Sequence, residues 1–304
     1  MIHDYGKVYT HGSKYVYEVF NGPVVVQEKV DGSQFSFAIV NDELVFRSRK
    51  RQMDCNDYEQ MFEKGIKALE EIKDQLMRGV IYRGEYLQSP RHNALKYDRV
   101  PIRNVILFDI EDLSIGDNYY PPEFVQKEAE RLGLECVPTY FEGKCDSQFL
   151  LQYLEKKPIL GGEQIEGVVV KNYAMPDASG KFLKAKMVRS DYKEIQTTEW
   201  KKAHASGKDV SWQIVLALRT EARWNKAVQH LKEEGKLLDA PQDIGNLIKA
   251  VNLDVLEEEA DEIKEILFKH YWKDISRGIT RGLPEWYKRK LMGIDIGIDP
   301  EKGE

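Results

Sequence analysis

The sequence predicts an α+β fold in which antiparallel sheets with flanking helices are followed by a small all-α domain. Two observations lead to this prediction. Short apolar runs alternate with a period of two through about the first 190 residues, as expected of β-strands. From about Tyr192 onward the apolar spacing is helical and acidic residues become denser. We therefore expect one domain at residues 1–195 and a second, helical domain at residues 196–304.

The first elements are three predicted strands around a lysine. Valines at 24–26 lead to Lys29, which stands between two acidic residues and is followed by a glycine turn. Alternating apolar residues carry a second strand to Val40, and an Asn41-Asp42 turn leads to a third strand at 44–49. We expect a continuous β-meander with Lys29 at the end of its buried first strand.

The rest of the first domain is predicted to alternate between helices and strands. Apolar residues at helical spacing predict an amphipathic helix at 54–78, and Pro122 and Gly133 bracket a second helix. The other predicted strands are 80–87, 104–113, a short one about Cys136, 166–171 and 181–188, with a further helix at 147–156. In the second domain, helices are predicted at 215–231, 243–251 and 253–271.

The composition is that of a globular protein in a reducing cytoplasm. The chain is 42% hydrophobic, which is enough for a sizeable core, and no apolar run is long enough to span a membrane. Its 3 cysteines form no C-x-x-C pair, and its first residues lack the pattern of a signal peptide. We expect a cytoplasmic protein, in the host cytoplasm if a phage encodes it, with no zinc site and no membrane partner.

The formal net charge of −6 supplies no overall attraction to nucleic acid. Basic residues nevertheless cluster at 47–51, 181–189 and 288–290, although charged runs are usually solvated surface. In the second domain, basic residues fall at i, i+4 and i+7 of a predicted helix, at Arg219, Arg223 and Lys226. They form either a stripe that follows phosphates or the solvated face of a structural helix.

The most informative stretch is the one around Lys29. In an extended chain Lys29 and Asp31 lie on the same face, so an ammonium and a carboxylate can point into one pocket. Such an arrangement can hold a nucleophilic amine. The K-x-D-G sequence is short enough to occur by chance, so its weight depends on the motifs that follow.

Six short motifs occur in order, each at a predicted strand end. They are E-K-V-D-G at 28–32, F-R-S-R at 46–49, R-G-E-Y at 83–86, I-L-F-D-I at 106–110, E-G-V-V-V-K at 166–171 and L-K-A-K at 183–186. Their order resembles the covalent nucleotidyltransferase superfamily of ATP-dependent ligases and capping enzymes. Within it, E-K-x-x-G-x-x-F-S is most similar to the RNA ligase 2 family of phage nick-sealing and RNA-editing ligases.

The resemblance covers residues 22–190 and extends less closely over 225–262. The sequence departs from that family at Asp31, where histidine is common, and at Gln34, where asparagine is common. The resemblance implies an ATP-dependent RNA ligase of RNA repair that joins 3′-hydroxyl and 5′-phosphate ends, at nicks in duplex RNA, using ATP and Mg²⁺ or Mn²⁺. Its intermediates would be a lysyl-AMP enzyme and 5′-adenylylated RNA. We expect a monomer.

The resemblance also assigns roles to the basic residues. Lys29 becomes the nucleophile that takes AMP, with Asp31 beside it, and Lys184 and Lys186 contact the α-phosphate. The last two share one face of their strand, and neighbouring cations would lower the pKa of the Lys29 amine. The alternative is a half-exposed strand with its lysines facing solvent. Arg49 would contact the nucleotide and the 5′-phosphate end of the RNA, since a guanidinium suits phosphate.

Acidic and aromatic residues complete the implied ATP site. Glu166, with Asp109 as the weaker candidate, would bind either the metal, because Mg²⁺ prefers oxygen ligands, or a lysine of the site. Glu85 would hold the ribose hydroxyls, and Phe108 would stack on adenine unless it is a core residue. The other implied ATP contacts are Glu28 and Lys171. Glu166 and Lys171 are an odd number of residues apart, so both reach one pocket only if the strand bends or bulges.

Two other functions are compatible with part of this pattern. A small ATP-dependent DNA ligase is consistent with Asp31, but such enzymes usually carry a β-barrel after the lysine-rich strand, and this sequence becomes helical there. A non-catalytic nucleotide- or RNA-binding module would be expected to have lost Lys29 or the Lys184 and Lys186 pair. The sequence retains all three.

Overall fold

The structure is a computed structural model that describes residues 2–49, 51–114, 118–177, 180–189 and 210–293. These residues form two compact units. One lies within 2–189 and 221–250, and the other within 210–220 and 251–293. The predicted domain boundary at residues 195 and 196 lies outside the described residues and stays a prediction.

The first sheet of the larger unit has five strands. In spatial order they are β1 (Tyr9–Thr10), β12 (Phe182–Val188), β11 (Gly167–Pro176), β2 (Val24–Lys29) and β10 (Thr139–Gly143). All neighbouring strands are antiparallel except β1 and β12. One face is apolar and packs against a 3₁₀ turn at Phe149–Tyr153, which was predicted as a longer helix.

The second sheet has seven strands. In spatial order six of them are β5 (Gln52–Asp54), β4 (Glu43–Ser48), β3 (Ser33–Val40), β6 (Val80–Tyr86), β7 (Val105–Asp112) and β8 (Asn118–Tyr119), and β9 (Glu135–Cys136) pairs in parallel with β7. Helices α1 (Glu63–Glu70) and α2 (Pro122–Leu132) supply apolar residues to the core that covers one face of this sheet.

The predicted β-meander is wrong in one respect, because β2 and β3 belong to different sheets. The chain passes from one sheet to the other through residues 30–32. Gly32 permits this crossing, since a Cβ there would lie 2.7 Å from both Cγ of Glu85 and the carbonyl oxygen of Tyr86. The β3–β4 hairpin is confirmed, with Asn41 and Asp42 at φ of 51° and 67°, as a tight two-residue turn requires.

The helix predicted at 54–78 is shorter in the structure. Asp54 ends β5, and its side chain accepts hydrogen bonds from the backbone N–H groups of Asn56 and Asp57. This local turn keeps the residues just after Asp54 from forming the first turn of a helix. The helical core positions are confirmed, because all five of the predicted apolar residues are buried: Phe62, Ile66, Leu69, Ile72 and Leu76. Helix α2 is as predicted, ending at Gly133 with φ of 64°.

The described part of the second half is helical, as predicted. Its helices are α3 (Val210–Leu218), α4 (Glu221–Glu233), α5 (Ile244–Thr280) and α6 (Leu283–Leu291). The single helix predicted at 215–231 is interrupted at residues 219–220, and the two helices predicted at 243–271 are one continuous helix. Among these and the other described helices, none combines the length and apolarity that crossing a membrane requires. The predicted α+β fold class is confirmed.

We expect Gly167→Ala to destabilise the larger unit. A Cβ at position 167 would overlap the carbonyl oxygen of Met187 and lie 2.7 Å from Cα of Val188 in the adjoining strand. Overpacking of this kind costs about 1–3 kcal/mol. The measurement is urea unfolding followed by circular dichroism.

The matched control is Gly245→Ala, where nothing lies within 4 Å of the added Cβ in helix α5. This change should be neutral or stabilise by up to about 1 kcal/mol, since alanine favours helix. Equal unfolding midpoints for Gly167→Ala and the unchanged protein would contradict the close packing of β11 on β12.

Candidate active site

Four lysines lie on one face of the first sheet. Lys29 is paired with Gly167, Val169 with Lys186, and Lys171 with Lys184 in the antiparallel registers. Residues directly opposite each other in such a ladder project to the same side. The face opposite the apolar core therefore carries Lys29, Lys171, Lys184 and Lys186, and it faces the second sheet, since Lys171 contacts Asp109 of β7.

Lys29 forms an ion pair with Glu166 at the end of β2. The Lys29 Nζ to Glu166 Oε2 distance is 2.6 Å, and the two side chains are 24% and 25% exposed. Glu166 immediately precedes β11, so the strict alternation within the strand does not apply to it. This explains how Glu166 and Lys171 both face the site although they are an odd number of residues apart. No bulge near Gly167 is needed.

The environment of Lys29 favours its charged form. Burial lowers the pKa of the amine, but the carboxylates of Glu166, Glu85 and Asp31 outweigh it and raise that pKa above its usual value. The prediction that neighbouring cations lower the pKa of Lys29 is therefore wrong for this structure. The amine must lose a proton before it can act as a nucleophile.

Glu85 and Glu166 are both carboxyl groups whose pKa lies above its usual value. Burial raises the pKa of Glu85 to about 8, with Glu166 and Asp31 adding to the rise and Lys29 opposing it. Burial also raises the pKa of Glu166, although Lys29 and Lys186 counteract it. The structure thus brings Glu85 and Glu166 together around Lys29.

Asp31 organises a loop beside Lys29. Its Oδ2 accepts hydrogen bonds from the backbone N–H groups of Ala94 and Leu95, each at 2.8 Å, and its own N–H donates to the Tyr97 hydroxyl at 2.7 Å. The side-chain amide of Asn93 also donates to the carbonyl of Gly32 at 2.7 Å. Asp31 is therefore a positioning residue whose charge also acts on the pKa of Lys29.

Asp109 is wholly buried and its oxygens are occupied. Oδ2 accepts hydrogen bonds from Lys171 Nζ at 2.8 Å and from the Tyr5 hydroxyl, and Oδ1 accepts one from the Tyr173 hydroxyl at 2.5 Å. The prediction that Asp109 binds metal is not supported, because its 1% exposed carboxylate is already shared by three donors. Lys171 also donates to the carbonyl of Phe108 at 2.9 Å, so it ties the two sheets together.

Phe108 stands at a bulge in β7. Arg83 is paired with Asp109 and the next residue, Gly84, with Leu107, which leaves Phe108 without an opposite residue. Leu107 enters the core of the second sheet, whereas the Phe108 ring lies 5.1 Å from the Tyr5 ring and 5.1 Å from Lys171 Nζ. Of the two neighbours, Phe108 is therefore the one that faces the lysines.

Lys184 is a buried cation held among aromatic rings. Its Nζ lies 4.5 Å from the ring centroid of Tyr5 and 4.4 Å from that of Phe182, and no described residue hydrogen-bonds to it. Burial lowers the pKa of Lys184 to about 8, while Asp109 opposes the change. Lys186 is less buried, and its charge acts on Glu166. A desolvated cation of this kind is suited to bind an anion.

Glu28 lies on the opposite face of β2 from Lys29. It is 3% exposed, and its carboxylate accepts hydrogen bonds from the Tyr140 hydroxyl at 2.8 Å and from the backbone N–H of Ile159 at 3.1 Å. Burial raises the pKa of Glu28 to about 7, although these two bonds oppose the rise. Its predicted contact with ATP is not supported, because alternation along the strand directs the Glu28 side chain to the face of the sheet opposite the four lysines.

The basic residues predicted to contact RNA belong to other segments of the chain than those that form this pocket. Arg49 is exposed in the connection from β4 to β5. Arg219 falls in the break after α3, whereas Arg223 and Lys226 lie on α4, so the three do not form the continuous helical stripe that was predicted. Their roles stay predictions.

Sequence reasoning missed the tyrosines of the site. Tyr173 lies two residues after Lys171 and therefore shares its face, a signal that could have identified it. Tyr5 comes from a distant segment, and no motif marked it.

Two facing sheets with a lysine and carboxylates between them define the class of covalent nucleotidyltransferase domains that the motifs resemble. The chain belongs to the RNA ligase family, whose profile matches residues 22–186, more than half of its length.

Similar solved structures include a variant of the Naegleria gruberi RNA ligase with ATP and Mn, at 16% identity and a TM-score of 0.47. Another is the same ligase with PPi, at 17% identity and a TM-score of 0.46. The similarity covers 64% and 65% of this chain and 58% of each of those chains. A comparison with curated proteins returns no match.

We expect the ion pair of Lys171 and Asp109 to be strongly coupled. Lys171→Met leaves the Asp109 carboxylate buried without its cation and should lower the free energy of unfolding by about 3–5 kcal/mol. Adding Asp109→Asn removes the stranded charge and should restore most of that loss. Urea unfolding of the two single variants and the double variant measures the coupling. Strictly additive effects would contradict it.

Proposed function

We propose that this protein is an ATP-dependent RNA ligase that joins 3′-hydroxyl and 5′-phosphate ends at nicks in duplex RNA. The observation that carries the proposal is the Lys29 amine, held 2.6 Å from Glu166 on a face with three further lysines. Membership of the RNA ligase family and the presence of ATP and Mn in a similar ligase support it.

In the first step, Lys29 Nζ attacks the α-phosphorus of ATP. A phosphorus–nitrogen bond forms, and the bond to the β-phosphate oxygen breaks to release pyrophosphate. The amine must give up its proton, and Glu166 Oε2 is the acceptor within hydrogen-bond reach. Burial raises the pKa of Glu166, which makes this carboxylate a better proton acceptor.

The residues around Lys29 fit a nucleoside triphosphate and a divalent metal. Lys184 offers a buried ammonium without a hydrogen-bond partner among the described residues, and Lys186 shares its face. Phe108 offers a ring for the base, and Glu85 a carboxylate for the ribose. Glu166 would hold Mg²⁺ or Mn²⁺, which neutralises phosphate charge when bound. Bringing cations to the α-phosphate lowers the barrier because negative charge develops there.

In the later steps, AMP passes from Lys29 to the 5′-phosphate of the RNA, and the 3′-hydroxyl then displaces AMP to form the phosphodiester. Arg49, Arg219, Arg223 and Lys226 are the residues that we assign to RNA phosphates. Asp31, the residue that favoured a DNA ligase, bonds to the backbone of the loop at 94–95. Its identity therefore gives no reason to prefer DNA.

We expect the purified protein to acquire radioactive label from α-³²P-ATP with Mg²⁺, retained after denaturing electrophoresis. Lys29→Ala should remove all label because Lys29 is the amine that pairs with Glu166 among the residues that the structure describes. Lys64→Ala, at an exposed lysine on α1, is the matched control and should label normally. Label on the Lys29→Ala protein, or preference for GTP over ATP, would refute the proposal.

We expect the adenylylation rate to depend on the charge of Lys184. The pKa of Lys184 is lowered to about 8 by burial, so its ammonium is present below that pH and is lost above it. At ATP concentrations below saturation, where the rate reports the free enzyme, the rate should therefore stop rising, or fall, as pH passes about 8. Lys184→Met should slow the reaction by about 10²–10³ below pH 8.

Comparison of the two lysine variants separates the effect of the Lys184 charge from a general loss of activity. Lys184→Met should lose the change near pH 8, whereas Lys186→Met should be slow but should keep it. Quench-flow measurements of label against pH provide the profiles. A folded Lys184→Met protein with an unchanged rate would show that this lysine does not serve the α-phosphate.

A further inference from the structure

The C-terminal part of the smaller unit has a charge opposite to that of the whole chain. Residues 263–293 contain 8 Lys and Arg against 3 Asp and Glu, although the complete chain carries a net charge of −6. Phosphates are attracted to such a segment even when the protein as a whole repels them. The charge asymmetry points to a local polyanion site.

The basic side chains are arranged along one side of α5. Lys269, Lys273 and Arg277 follow at intervals of four residues, and Arg281 continues the series just after the helix ends. All four are exposed. Lys269 is ion-paired with Glu265 at 2.9 Å, but no ion pair joins the other three to a carboxylate in the described part of the chain.

An exposed aromatic and aliphatic stripe runs beside the cations. Phe268, Trp272, Ile275 and Ile279 are 59%, 48%, 48% and 72% exposed and lie at i, i+4, i+7 and i+11 of α5. The rings of Phe268 and Trp272 are 5.1 Å apart with an interplanar angle of 23°. Flat rings next to cations are the arrangement on which unpaired bases stack while their phosphates are neutralised.

Cations and aromatic rings also adjoin elsewhere in this unit. Lys290 Nζ lies 4.9 Å from the ring centroid of Trp286 on α6, and the Arg219 guanidinium lies 5.8 Å from that of Trp212 on α3. Both tryptophans are at least 36% exposed. The combination therefore recurs within the unit and is not confined to one turn of α5.

We infer that the surface formed by residues 268–290 binds a single-stranded segment of the RNA substrate. Duplex RNA does not use such rings, because its bases stack on one another and its grooves are read by contacts to phosphates and hydroxyls. The inference rests on the proposed RNA ligase function and adds that the enzyme also engages unpaired nucleotides of the substrate outside the nicked duplex.

The test is fluorescence anisotropy with the full chain, without ATP, on a labelled 12-nucleotide single strand and on a blunt RNA duplex of the same sequence. Phe268→Ala with Trp272→Ala should weaken single-strand binding by about tenfold or more. Duplex affinity should change by less than about threefold, since duplex bases do not stack on side chains. Phe268→Leu with Trp272→Leu, which keeps the helix apolar, should show the same loss if the rings act by stacking.

Removing the cations tests the phosphate contacts. Lys273→Gln, Arg277→Gln and Arg281→Gln together should reduce the slope of log affinity against log salt concentration by about 2, because each single-strand contact contributes about 0.7. Lys232→Gln, Lys236→Gln and Lys249→Gln remove three other exposed lysines and should leave the slope unchanged.

Three results would overturn the inference. They are unchanged single-strand affinity in the folded ring variants, equal losses on single strand and duplex, or ring variants that only abolish self-association or binding to anionic phospholipid vesicles. The labelling of Lys29 by ATP is scored separately. Normal RNA binding without labelling would refute the proposed ligase activity but not the single-strand site. Normal labelling without binding of the single strand would refute the single-strand site but not the ligase activity.

Discussion

The buried ion pair between Lys171 and Asp109 is the interaction on which the arrangement of the site depends. Lys171 belongs to the first sheet and Asp109 to the second, and their side chains are 2% and 1% exposed. Such a pair adds little net stability when compared with apolar side chains, but breaking it leaves a stranded charge. We therefore infer that this ion pair mainly aligns the two sheets, because it joins them at one point of the face that carries the lysines.

The site concentrates opposite charges at short range and excludes much of the water around them. Carboxylates at Glu166 and Glu85 keep Lys29 protonated, while Lys184, enclosed by Tyr5 and Phe182, is a cation that burial makes easier to deprotonate. Two lysines on one face of the first sheet thus have opposite pKa shifts, because one faces carboxylates and the other aromatic rings. An anionic ligand would change these electrostatic interactions, since it would repel the carboxylates and attract the ammonium groups of both Lys29 and Lys184.

The sequence predicted the elements of the site better than their assembly. The β3–β4 hairpin, the buried apolar positions between Phe62 and Leu76 and the shared face of Lys184 and Lys186 follow from local periodicity, and the structure confirms them. Periodicity also places Glu28 opposite Lys29, although the family motif had suggested an ATP contact. Of the two roles predicted for Asp109, the lysine contact is present and the metal role is not supported, because a motif does not show which donors already occupy a carboxylate.

The sequence alone determined the order of the motifs, the family and the helical character of the second half, since each depends on residues that are close along the chain. Only the tertiary structure decided that β2 and β3 enter different sheets and that Tyr5 covers Lys184. It also decided that carboxylates from three segments raise the pKa of Lys29. The physical reason is that strand pairing, burial and electrostatic interactions all depend on residues that are distant in sequence. A local sequence pattern does not contain this information.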